Sequence, residues 1–146
     1  MTVKVTIEGL AEVKTALRAL PDATAKTVVR RVLRSRGEPI AARARRLVPV
    51  EEGELRDSIA VSTRLSRRQR ARRRKFDPND IEVYIGAGPL PQAHLQEFGT
   101  EHSLAQPFLR PAWDGGKREV LESIREDLWA EIANSVRHAA RKKRKS

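Results

Sequence analysis

The three histidines, His94, His102 and His138, are the first residues to test for chemistry, because imidazole is the commonest metal ligand and general base. They show neither the i, i+4 pairing nor the cysteine partners of a zinc site, and the chain has no cysteine. His94 with Glu97 and His102 could meet at a metal only by chance, so these side chains read as surface or interface residues. The carboxylates Glu51, Glu52, Glu54 and Asp57 cluster around Gly53. A catalytic carboxylate pair needs one member in a protected pocket, and nothing apolar shelters these. They read as residues that cap a turn or meet cations on a partner. No nucleophile stands beside a base, and no glycine loop could cradle a phosphate. Catalysis is not expected, and neither is a metal or a cofactor.

The chemistry that remains is recognition. Ala93–Thr100 and Ala105–Ala112 gather aromatic, proline and glycine residues around one acid–base pair, Glu97 and Arg110. Pro107 and Pro111 hold their predecessors extended. On such stiff backbone the planar Arg110 guanidinium can fork onto a carboxylate, with Glu97 of the same or the next chain as the obvious partner. Glu97, Phe98, Gly99, Thr100, Gln106, Pro107, Phe108, Arg110 and Pro111 are therefore the candidate subunit or partner contact. Phe98, Phe108 and Trp113 can equally be read as core.

A second candidate is cationic. The net charge is +11, and Ser66–Lys75 holds seven cations and no acid: Arg67, Arg68, Arg70, Arg72, Arg73, Arg74 and Lys75. Arg141–Lys145 adds five more, so removing these twelve charges leaves −1 for the rest of the chain. The body is close to neutral, and the basicity sits in two appendages. Seven clustered cations suit phosphates or an acidic partner. Only Phe76 and Tyr84 lie near, which is no stacking platform for bases, so any nucleic-acid contact would be nonspecific. A solvated loop and a fraying terminus are the plain alternatives.

The elements that must position these residues follow from periodicity. Thr2–Ile7 alternates as a strand, and Leu10, Val13, Leu17 and Leu20 recur at helical spacing up to Pro21. Asp22 is a natural N-cap for a long helix to about Val48, with a kink expected near Gly37 and Pro39. Pro49 ends it. Leu55–Arg64 alternates well enough for a strand, and Ile81, Val83 and Ile85 form another ending at Gly86. The basic run between them reads as the tip of a long β-hairpin, residues 66–79. Ala93–Phe98 adds a short strand or a helical turn. The last helix starts at Pro111 or after Gly115-Gly116, presents Val120, Leu121, Ile124, Leu128, Ile132 and Val136 on one side, and frays into the basic tail. The expected fold is α+β: a long kinked helix and a C-terminal helix on a small antiparallel sheet. Residues 1–140 form one domain and 141–146 a disordered tail.

At 146 residues the chain has a single-domain length. The start lacks the charged and apolar regions of a signal peptide, and no run is long enough to cross a bilayer. A soluble protein made in the cytoplasm is expected.

Several short stretches, in order, resemble the neck proteins of long-tailed bacteriophages, also called minor tail or tail-completion proteins. These are Ala44-Arg45-Arg46-Leu47-Val48-Pro49-Val50, Gly53-Glu54-Leu55-Arg56-Asp57-Ser58-Ile59, Tyr84-Ile85-Gly86, Glu97-Phe98-Gly99-Thr100 and Ala105–Ala112. The likeness spans roughly Leu10 to Leu128. Glu51-Glu52 reverses the charge usual before the glycine turn, and the Ser66–Lys75 insertion is unusually basic. The resemblance implies a structural virion protein of the head–tail interface. It would assemble as a homo-oligomeric, six-fold ring around the DNA channel and join the capsid connector to the tail. The implied partners are sister copies, connector or head-closure proteins, tail-terminator or tail-tube proteins, and genomic DNA passing through the lumen. The implied locations are the virion and, during assembly, the host cytoplasm, with no membrane. It supplies no catalytic residue. The alternative reading is a small nonspecific nucleic-acid-binding protein.

Overall fold

A computed structural model of the 146-residue chain describes residues 10–49, 51–64, 67–72, 81–88 and 90–145. The strand expected over Thr2–Ile7 lies outside them. Two long helices organise the rest: α2, Asp22–Leu47, and α6, Leu109–Arg144. At ~1.5 Å per residue they run roughly 39 and 54 Å. Around them lie α1 (Leu10–Arg18), α3 (Gly53–Ser58), β1 (Ala60–Ser62), α4 (Arg67–Arg72), β2 (Tyr84–Gly86) and α5 (Pro91–Phe98). The result is mostly helical with one small antiparallel sheet, compatible with α+β.

α2 and α6 pack antiparallel, as their partners show. Val28 and Val32 share an apolar cluster with Leu128 and Ile132, completed by Val13 of α1. Ile40, Ala41 and Ala44 share the other with Ala112 and Val120, together with Val48, Leu55, Ile59, Ala87 and Phe108. Ion pairs run beside this seam. Arg31 meets Glu131 at 2.8 Å, and Arg36 forks onto Asp127 at 2.5 and 2.9 Å. Both helices are rich in charge, and at these two points a cation of α2 faces an acid of α6.

Pro39 and Gly37 lie inside an uninterrupted α2. Gly37, where a kink is expected, also has a packing role. A Cβ there would stand 3.2 Å from a Val61 methyl and 3.4 Å from Ile85, so its bare backbone is where the helix meets the β1–β2 pair. Gly115 and Gly116 likewise do not break α6; Gly116 faces Ile40 and the Arg43 stem across the helix pair. α6 instead begins at Leu109, before Pro111, and continues as helix to Arg144, where a fraying tail was expected. Pro21, not Asp22, occupies the cap of α2, and Asp22 is its first helical residue.

The two expected strands shrink. The start of the first lies in the short helix α3, leaving only Ala60–Ser62 as strand, and the second keeps Tyr84–Gly86. Alternation of Leu55, Asp57, Ile59 and Val61 mimicked a strand because Leu55 and Ile59, four apart, also share one face of a helical turn and its exit; both are fully buried. The strands pair antiparallel, Val61 opposite Ile85. Among the described residues this antiparallel pair has only three residues per strand, and the described part of the basic connection, Arg67–Arg72, is helical rather than extended. Residues 73–80, the rest of the expected tip, are outside those described.

Arg45 joins the helical layer to this small sheet. Its guanidinium donates two hydrogen bonds, 3.0 and 2.7 Å, to the Ile59 carbonyl and one of 2.7 Å to Glu38. That explains why arginine follows Ala44. The alanine is buried against the core while the next residue reaches the α3–β1 junction.

Candidate functional site

Glu97 organises the candidate contact. It sits in the last turn of α5, whose start is set by Pro91 in its first turn and whose end is set by Gly99. Its carboxylate accepts hydrogen bonds from three successive backbone N–H groups at the start of α6: Phe108 at 2.8 Å, Leu109 at 3.0 Å and Arg110 at 3.0 Å. The first N–H groups of a helix have no partner within it, and the helix dipole favours negative charge there. Phe108, at the cap position, has no side-chain oxygen to do this, so a carboxylate from another element caps the helix. Within the chain, Glu97 is therefore not the fork partner of Arg110.

The loop between them is braced along its length. Gly99 has φ +76° and donates its N–H to the Leu95 carbonyl at 2.8 Å. A Cβ at Gly99 would lie 2.8 Å from the Ala105 nitrogen and 3.0 Å from the Ser103 carbonyl, so only glycine fits. Thr100 N–H donates to the Ser103 carbonyl, and His102 N–H to the Thr100 hydroxyl. Gln106 N–H bonds the Gln96 carbonyl at 2.9 Å, and their side-chain amides meet at 2.9 Å.

Phe108 is the anchor of this unit, fully buried in the main core at 0% exposure, and so cannot itself contact a partner. Phe98 goes the other way at 54% exposure. Its ring lies 4.8 Å from that of His94 and beneath the Arg110 guanidinium at 5.6 Å. Thr100, Gln106, Pro107, Arg110 and Pro111 are exposed, and Gly99 and Glu97 are half-buried. The nine residues thus form one structural unit, held from inside by Phe108 and Glu97.

Sequence reasoning missed two features here. Leu104, at the loop's tip, is 93% exposed. Beside α5 and the first turn of α6, a groove of about 680 Å³ is lined mainly by apolar residues, including Ile85, Ala87, Leu90, Ala93 and Trp113. The Trp113 indole N–H is buried with no hydrogen-bond partner among the described residues. The leucine was visible in the sequence as a lone apolar residue in a polar turn; the groove depends on tertiary packing and left no local signal.

The cationic candidate divides. Arg67 and Arg70 are exposed on α4, Arg68 and Arg72 fall on the same helix, and Arg73, Arg74 and Lys75 are outside the described residues. Arg67 and Arg70 do not line the groove. Among the described residues no group of His, Cys, Asp or Glu could hold a metal ion, and no helix is long and apolar enough to cross a membrane. One pKa shift is notable. The hydrogen-bonded Arg36 guanidinium holds the Asp127 carboxyl below the usual carboxylate range. That pair belongs to the helix seam, away from the candidate contact.

A family model described as "Bacteriophage HK97-gp10, putative tail-component" matches residues 11–99, more than half of the chain. No curated protein and no solved structure gives a significant match. The matched region takes in the Ala44–Pro49 and Gly53–Ile59 motifs that build the core, and it ends at Gly99.

Proposed function

Because the chain belongs to the HK97-gp10-like family of bacteriophage tail components, we propose that it is a structural protein of the virion, placed at the head–tail interface. It assembles with sister copies into a ring, six-fold by the neck-protein resemblance, around the DNA channel. That ring joins the capsid connector to the tail. The observation carrying this reading is the 97–111 segment, braced by Glu97 and Phe108 yet mostly exposed. A surface fixed before contact loses little entropy on docking, which favours assembly. A contact between two different patches closes into a ring when its rotation closes. The near-neutral body permits close packing of copies, and the concentration of positive charge in the two basic segments suits DNA or acidic neighbours. The role is structural rather than catalytic, and the place of action is the particle.

Inactivating the gene tests this. The expected result is filled heads and separate tails that join when the purified chain is added. Normal joined particles without the chain contradict it.

The seven cations of Ser66–Lys75 favour one second reading, nonspecific nucleic-acid binding. Deleting that segment separates the two. Lost binding to DNA with intact particle assembly supports the second reading; lost assembly with unchanged DNA affinity supports the first.

A further inference from the structure

We propose that a second copy of this chain inserts its Leu104 into the groove between β2, α5 and the first turn of α6, and sets its Glu101 against Arg110 at the rim. The inference rests on the self-assembly proposed above and names its contact. Leu104 is 93% exposed on a loop fixed by Gly99, Thr100 and Gln106, so the chain does not fill its own groove with it. An apolar side chain held rigidly in water gains by burial elsewhere. The groove, about 680 Å³, lies within the ~300–1,000 Å³ range of sites that enclose a ligand. Its charged or ionisable side chains, His94, Glu97 and Arg110, come only from α5 and α6, and the rest of its wall is chiefly apolar, which suits an apolar tip.

Charge completes the match. Arg110 is exposed and has no carboxylate within ion-pair distance among the described residues; its guanidinium lies over Phe98. Glu97, which lines the same groove, is committed to three backbone N–H groups. Glu101 is exposed on the Leu104 loop and likewise carries no ion pair among the described residues. An acid three residues before the apolar tip meets an uncommitted arginine at the mouth of the apolar groove.

The test places the photo-crosslinking residue p-benzoylphenylalanine at position 104, where exposure leaves the fold undisturbed, in chains built into particles. Illumination should give a covalent chain-to-chain product attached at Ile40 or within residues 83–98 or 109–113. A product mapping elsewhere, or to another virion protein, overturns the inference, as does the absence of any product from chains present in particles. Those outcomes leave the structural role standing, whereas a chain absent from particles removes both. Glu101→Arg and Arg110→Glu should each lower the yield of joined particles about tenfold or more, and the double reversal should restore it. Failure of the double variant to recover contradicts the ion pair.

Discussion

The carboxylate of Glu97 holds two elements together by satisfying three N–H groups that α6 cannot satisfy itself. Glu97→Ala should therefore cost about 1–2 kcal/mol, the range for loss of a helix N-cap. Glu97→Gln, which keeps one acceptor oxygen, should cost less; urea unfolding of the three proteins measures the order. Equal stability of wild type and Glu97→Ala would remove the cap from the account. Gly99 sits at φ +76° and ψ 178°, a region open essentially to glycine, with backbone atoms where a Cβ would go. Gly99→Ala should cost about 1–3 kcal/mol, and an unchanged thermal midpoint contradicts this. Asp127 gives a pH prediction. Its carboxyl is held low by the Arg36 hydrogen bond. A depressed folded-state pKa adds stability that is complete above the unfolded value, about 3.9, and is lost as pH falls through the folded value. The stability gap between wild type and Asp127→Asn should therefore be widest near neutrality and shrink in acid below about pH 4. A gap constant from pH 7 to acid excludes the ion pair as its source.

Among the elements, α2 continues through Gly37 and Pro39, as expected, and runs from Asp22 to Leu47. Its stability comes from tertiary packing against α6 rather than from propensity. Gly37 serves closeness, with the Val61 methyls 3.2–3.3 Å from where its Cβ would be. Gly37→Leu should overpack this junction at a cost of about 1–3 kcal/mol. Hydrogen exchange should then show β1 and β2 opening while the α2–α6 seam stays protected; protection kept in both strands contradicts that division. The same junction explains why the strands were misread. A four-residue apolar spacing fits a helical turn plus its exit as well as it fits a strand, and only packing decides. The helices, by contrast, were legible from their apolar stripes, because α2 and α6 bury one face along most of their length. Of the residues expected on one side of α6, Val120, Leu128 and Ile132 are buried and Leu121 and Ile124 half-buried, whereas Val136 is exposed, beyond the reach of α1 and α2.

For the whole molecule, the candidate contact was legible as a region and not as a mechanism. Proline, glycine and aromatic residues marked 97–111 as stiff. They could not show that Glu97 caps a helix, that Phe108 turns inward while Phe98 turns out, or that Leu104 projects. Each of those depends on where α5 is set against α6, which no local spacing encodes. Charge was legible as a sum and misleading as a shape. Two ion pairs join α2 to α6, and the basic stretch expected at a hairpin tip is helical over Arg67–Arg72. The cationic segments carry one further expectation. Any contact they make with DNA should weaken as salt rises, with a slope set by the number of phosphates neutralised. Deleting Ser66–Lys75 should flatten that slope in a binding titration, and an unchanged slope places the DNA contact elsewhere.

Image reconstruction of purified joined particles tests the central claim most directly. The expected density is a closed ring of this chain at the head–tail junction, with each 97–111 segment against a neighbouring copy. Particles that lack the chain, or a ring in which those segments face only solvent, would contradict it.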